Sequence, residues 1–286
     1  MHDTSDRRGP GGGMDRGLDR GPGGVLGGGT GGGTGGSLSD LVAAEWTKLR
    51  SVRSTWTLLA LGGALTVLVS LLFCALIGPE FRHADPAQQR ALDPVGLAFT
   101  GLQFGQVPLV VLAVLAVGNE YGTGMIRTSL AAVPRRGRFL AAKLTVLGAT
   151  GLAWGLLTGA VALTAGSAVL GAPAPLHAEA VRALAGAGVY AALLAVLAAA
   201  LTFLVRRSLA ALGILLPLLF VVSGALAAVP RLRSLARLLP DRAGLRLMQT
   251  HQDAGDLSPL AGGAVLLLWA VLAAAGSYAA LRRQEC

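Results

Sequence analysis

The densest run of chemically active side chains is Asn119 to Lys143, NEYGTGMIRTSLAAVPRRGRFLAAK. Glu120 is the only carboxylate between Asp93 and Glu179, and the bases Arg127, Arg135, Arg136, Arg138 and Lys143 follow it. The middle of the run, Met125 to Val133, has helical periodicity. Ile126, Leu130 and Val133 fall at i, i+4 and i+7 on one apolar stripe. Gly122 and Gly124 loosen the chain before it and Pro134 stops it. Two readings stand side by side. The run is a docking surface built on a short amphipathic helix, or it is a positive loop that only fixes topology.

Other reactive chemistry is missing. His2, His83, His177 and His251 are isolated in sequence, and the two cysteines, Cys74 and Cys286, are too few and too far apart for a disulfide framework or a metal site. No Ser sits in a G-x-S-x-G elbow. Lys48 and Lys143 do not follow a Gly-x-x-x-x-Gly, so there is no phosphate-cradling loop. The match at Gly27, Gly29 and Gly32 to a dinucleotide fingerprint lies in a glycine-rich tail with no strand before it. The expectation is a chain that is not an enzyme and binds no cofactor or metal itself.

The elements that hold the basic run are apolar. The chain has 286 residues, 53% hydrophobic and 14% charged, with a formal net charge of +9 and a mean hydropathy of +0.63. Those values describe a multi-span membrane protein, and the positive balance points to anionic lipid rather than nucleic acid. Residues 1–37 are glycine-rich, with four Asp offsetting four Arg and no aromatic, which predicts a disordered tail. Residues 38–55 predict an interfacial helix opened by a Ser37/Asp40 capping box. Leu38, Val42, Trp46, Leu49 and Trp56 would form its apolar side, with Glu45, Lys48, Arg50 and Arg53 around the other. Six segments long enough to span follow, about 56–77, 95–117, 139–170, 183–205, 209–229 and 260–281, and a short tail, 282–286. The fold class is therefore an all-α integral membrane protein with six transmembrane helices.

Placing both termini in the cytoplasm puts sixteen basic residues inside and eight outside, as the positive-inside rule prefers. The loop from Pro230 to Pro259 argues the other way, since Arg231, Arg233, Arg237, Arg242 and Arg246 then lie outside. A re-entrant fifth segment, broken at Pro217, would bring it inside. Within the segments, Gly151, Gly155 and Gly159 make a small-residue stripe suited to close helix packing. Gln103 and Gln106 share one face of the second, and Pro217 and Ser223 mark the fifth. These four either line a substrate path or serve interhelical hydrogen bonding and a static kink.

Two motifs carry a resemblance. EWTKLRSVRST, Glu45 to Thr55, and the E-Y-x-x-G-x-I-R-x-(T/S)-L-x-x-x-P-R-R-x-x-x-x-x-x-K pattern from Glu120 to Lys143 resemble permease subunits of type 2 ATP-binding-cassette (ABC) exporters, the six-span bacterial class. The likeness covers the chain from about residue 37 onward, without the glycine-rich tail or the basic Pro230–Pro259 loop. It implies a permease of an ATP-driven exporter in the cell membrane, paired with a second permease subunit in a homo- or heterodimer. ATP and Mg would sit on a separate cytosolic ABC ATPase. By the same resemblance the coupling helix that docks this ATPase falls on Glu120, Tyr121, Gly124, Ile126, Arg127, Leu130, Pro134 and Arg135. A second contact falls on Glu45, Trp46, Lys48, Arg50 and Arg53. Sparse polar groups in the spans point to an amphipathic or lipid-like cargo. The competing classes are a membrane anchor or sensor without transport, and an ion-coupled carrier, which the lack of charge inside the spans disfavours.

Overall fold

A computed structural model describes residues 37–85, 88–89, 93–125, 136–171, 178–250 and 257–283. The glycine-rich tail, and Ile126 to Arg135 of the basic run, lie outside the described residues. Among the described residues the regular structure is helical throughout.

The leading helix is Leu38–Ser51. Its capping box is formed: Asp40 N donates to Ser37 Oγ at 3.3 Å and Ser37 N to Asp40 Oδ2 at 3.0 Å. Two of the orphan amides at the helix start are thereby satisfied. Val52, extended at φ −89° and ψ 119°, is a one-residue hinge to the first span. Trp56 Nε1 donates across that hinge to Arg50 O at 3.1 Å.

Six helices are long and apolar enough to cross a membrane: Arg53–His83, Leu102–Gly122, Arg136–Leu170, Ala178–Val205, Ser208–Ala228 and Pro259–Arg282. The third, at 35 residues, is about 52 Å long and exceeds the ~30 Å hydrocarbon core, so it either tilts or extends beyond it. The second, third and fourth spans form the centre, with 61%, 56% and 61% of their apolar windows buried. The first, fifth and sixth bury only 22% each and present apolar faces outward.

Close backbone approach holds the centre together. A Cβ at Gly155 would stand 2.6 Å from Ala187 O and 3.0 Å from Gly188 Cα, and one at Gly151 2.6 Å from Ala191 O. Gly159 meets side chains instead, Leu184 at 3.1 Å and Phe99 at 3.2 Å, so the backbone seat of the third span on the fourth is made by Gly151 and Gly155. A second close approach, between the first and second spans, sets Gly101 and Gly105, four apart, against Gly62, Thr66 and Ser70, each also four apart. There a Cβ at Gly105 would overlap Thr66 Oγ1, and Ser70 Oγ accepts from Gly101 N at 3.1 Å. Trp154 Nε1 donates to Leu59 O at 2.9 Å and ties the third span to the first.

The fourth and fifth spans are joined by Arg206 and Arg207 alone, with Arg206 in the left-handed region at φ 61°. The fifth then runs the full distance. Pro217 does not break it into a hairpin. The helix widens into a π turn over Leu218–Val222 and resumes at Ser223. The basic 229–258 loop therefore lies at the end opposite the leading helix. It is built from the short helices Pro230–Leu232, Arg233–Ala236 and Pro240–Leu245. Arg182 holds it by donating to the carbonyls of Leu247 at 3.3 Å and Gln249 at 2.8 Å, and Asp93 accepts from Thr250 N at 3.1 Å.

Candidate functional site: an ion cluster at the roots of the basic loop

The two ends of the Asn119–Lys143 run belong to different spans. Glu120 sits in the last turn of the second and Lys143 two turns into the third. They meet: Lys143 Nζ lies 2.6 Å from Glu120 Oε1 and 2.8 Å from Glu45 Oε2 on the leading helix. Lys48 adds a fourth corner, 2.7 Å from Glu45 Oε1 and 3.5 Å from Glu120 Oε1. Lys143 also donates to Ala116 O at 3.3 Å and stands 5.5 Å from the Phe139 ring centroid. Two acids and two bases balance, as groups out of water require.

Lys143, Glu45 and Glu120 are buried, at 4%, 7% and 7% exposed. Burial acts to raise the Glu45 carboxyl, but Lys143 and then Lys48 outweigh it and hold it below its usual range. Burial also opposes the charge on Lys48, and Glu45 and Glu120 outweigh that in turn, holding the amine above its usual range. A cavity of about 270 Å³ opens beside the cluster, bordered by Ser54, Thr55, Asn119 and Met125. Glu120, whose Oε2 accepts no hydrogen bond among the described residues, borders it too.

The leading helix thus differs from the periodicity reading. Glu45 points into the bundle with Leu41, Val42 and Leu49 beside it, and Trp46 is the residue left outside, 43% exposed. A carboxylate on the apolar side has no signature in hydrophobic spacing. The signal in sequence was the pairing of that acid with the rare lysines, Lys48 and Lys143. Glu45 is therefore an internal anchor rather than a free contact, while Lys48, Arg50 and Arg53 remain exposed.

Of the predicted coupling residues, Glu120 is in the cluster. Tyr121 packs edge-on against Phe203, ring centroids 6.1 Å apart, and Gly124 adopts φ +73°. Ile126, Arg127, Leu130, Pro134 and Arg135 lie outside the described residues. Just past them, Arg136 Nη1 donates to Leu281 O at 2.5 Å, joining the loop's exit to the end of the sixth span.

Of the predicted path residues, Gln106 and Ser223 are buried, Gln103 is half-buried and Pro217 is exposed. Gln106 is 1% exposed; it accepts from the Tyr190 hydroxyl and donates to Gln103 O at 2.8 Å. Ser223 is buried and donates to Leu219 O at 3.4 Å across the π turn that follows Pro217. An apolar groove of about 820 Å³ instead runs between the first and third spans, with Trp46, Arg50 and Trp56 along it.

Six apolar helices and a buried ion cluster joining three of the chain's helices define a multi-pass membrane protein. Residues 41–224 match the family model described as ABC-2 family transporter protein, and the chain belongs to that family. It is a membrane component of transport whose usual location is the cell membrane. Among curated proteins and among solved structures, none matches the chain.

Proposed function

We propose that the chain is the permease half of an ATP-driven exporter. The leading-helix end faces the cytoplasm, and a separate ABC ATPase, carrying ATP and Mg, docks there on the Asn119–Lys143 loop and on the exposed bases of the leading helix. The observation that carries this reading is the ion cluster. Lys143 and Glu120 stand at the two roots of the loop, and both are tied to the leading helix through Glu45 and Lys48. A push on the loop reaches the second span, the third span and the leading helix together. A loop that only set topology would need no such bracing. Coupling needs differential affinity between states, so the docked ATPase must bind the two permease conformations unequally.

The outward apolar faces of the first, fifth and sixth spans support assembly with a second permease subunit in the membrane. The groove between the first and third spans, apolar with one guanidinium at Arg50, fits an amphipathic or lipid-like cargo. The chain itself binds no cofactor in this reading.

The test is gentle purification of the tagged protein from its own membrane. A nucleotide-binding ATPase is expected to come with it, and to be lost when Arg127 and Arg135 are both changed to Glu. A complex that stays whole and fully active in that double variant overturns the docking surface. A permease that emerges alone from several mild detergents moves the anchor and ion-coupled readings ahead.

A further inference from the structure

At the end of the bundle away from the leading helix, one carboxylate is buried with no ion-pair partner among the described residues. Asp241, in the short helix Pro240–Leu245, is 1% exposed, and neither of its oxygens accepts a hydrogen bond among the described residues. An acid two residues from an exposed leucine-rich turn reads in sequence as a solvated loop residue. The backbone places it inside instead. A Cβ at Gly244 would drive into the Tyr190 ring and reach 2.9 Å from Leu266, and one at Gly262 would crowd Ala243 O. The short helix is thereby wedged between the fourth and sixth spans.

Of the neighbouring hydroxyls, Tyr190 is committed elsewhere, while Ser223 is shared between a long bond to Leu219 O and a pull on the Asp241 carboxyl. Tyr190, on the fourth span, donates to Gln106, and Ser223, on the fifth, donates to Leu219 O. The charged groups nearby are also engaged or turned out. Arg182, on the fourth span, holds the carbonyls of Leu247 and Gln249. Arg246 donates to Gln249 Oε1 at 2.7 Å, and Asp93 accepts from Thr250. Arg242, next in sequence, is exposed. The outer halves of the second, fifth and sixth spans bring no ionisable side chain. Surroundings that offer acceptors and tight packing, with no committed counter-ion, suit the smallest cation.

We propose that Asp241 is a proton-binding site: its neutral form seals the loop between the fifth and sixth spans against the fourth and sixth, and its ionisation releases that loop. The direction of its titration agrees. Burial pushes the carboxyl above its ordinary range, against the opposing pull of Ser223, the amides of Arg242 and Asp241, and the Arg242 charge. Because the sealed state holds the proton more tightly, sealing is strongest below the ordinary value of 3.8 and weakens as pH rises through the raised one. On the orientation proposed above, the pH sensed is that outside the cell. The site itself does not depend on that orientation or on the ATPase.

The experiment uses the full chain in lipid nanodiscs with Cys74→Ser and Cys286→Ser. A reporter cysteine comes from Met248→Cys, at a site 2% exposed, and a reference from Leu235→Cys, at a site 55% exposed, in separate samples. The ratio of their labelling rates with a hydrophilic maleimide cancels the thiol's own pH dependence. The ratio is expected to rise with pH by up to about tenfold per unit in the otherwise unchanged chain, and to be flat in D241N. Infrared difference spectra should show a protonated carboxyl stretch that titrates with the same midpoint, above the ordinary carboxylate range, and is absent from D241N. A flat ratio in the unchanged chain, an equal slope in D241N, or no titrating carboxyl band overturns the proposal. The infrared titration of the unchanged chain stands even if the variant fails to assemble.

Discussion

Lys143, two turns into the third span, holds Glu45 of the leading helix at 2.8 Å and Glu120 of the second span at 2.6 Å. One ammonium thus joins the leading helix to two consecutive spans. Removing it leaves two buried carboxylates facing each other. Lys143→Met is expected to destabilise the folded permease by about 3–5 kcal/mol, as removal of one partner from a buried ion pair does. Adding Glu45→Gln should recover a large part of that loss, because the repulsion goes with the charge. Thermal unfolding of the purified variants in one detergent checks both. A Lys143→Met protein that melts with the parent would show that the cluster does not hold the leading helix.

The same cluster sets a pH window. Glu45 is held below its ordinary value of 4.5, so its contribution is present above that value and is lost as pH falls below it. Lys48 is held above its ordinary value of 10.5, so its contribution is present below that value and is lost as pH rises beyond it. Attachment of the leading helix is therefore expected to be level between those limits. Fluorescence of Trp46 and Trp56, followed from pH 3 to 11, checks it. A transition between pH 6 and 8 would place the control elsewhere.

The sequence made some of this legible and not the rest, for physical reasons. Long apolar segments announce six spans, because hydrocarbon admits few other ways to satisfy a backbone. The Gly151, Gly155, Gly159 stripe is visible because close packing in lipid needs small side chains at helical spacing. The approach of Gly101 and Gly105 to Thr66 and Ser70 has the same four-residue spacing, but spacing alone does not say which hydroxyl-bearing span those glycines meet. Glu45 was assigned to the wrong side of its helix because hydrophobic spacing cannot anticipate a neutralising lysine ninety-odd residues away. Asp241 gives no signal in sequence for the same reason: burial of a loop acid depends on what the loop folds against. The re-entrant alternative for the fifth segment failed because a π turn absorbs Pro217 without ending the helix.

The glycines of the spans divide by what surrounds them. Gly155→Ala pushes a methyl to 2.6 Å from Ala187 O, which is backbone and cannot swing away. Overpacking of this kind costs about 1–3 kcal/mol, and Gly155→Val should cost more. Gly224, in the helical part of the fifth span, has nothing within 4 Å of the same position. Gly224→Ala should be neutral or stabilise by roughly 0.5–1 kcal/mol, since alanine gives up less backbone freedom in a helix. Melting temperatures of the three variants decide it. Equal losses at both sites would remove the third–fourth span seam as the cause.

At the opposite end, Asp93 serves as a latch. It caps Pro94–Ala98 by accepting from Gly96 N at 3.0 Å, and it accepts from both the amide and the hydroxyl of Thr250. Two loops that follow different spans are thus closed on one carboxylate. Asp93→Ala strands the Thr250 amide and loses the cap, a local loss of about 1–3 kcal/mol. Asp93→Asn keeps an acceptor and tolerates the left-handed backbone at φ 42°, so it should lose less. Hydrogen exchange should speed up over residues 240–250 in Asp93→Ala and stay unchanged in the leading helix. Faster exchange at both ends, or at neither, would mean that Asp93 acts on the whole bundle or not at all. A change confined to the far loop, graded from Asn to Ala, is what a latch requires.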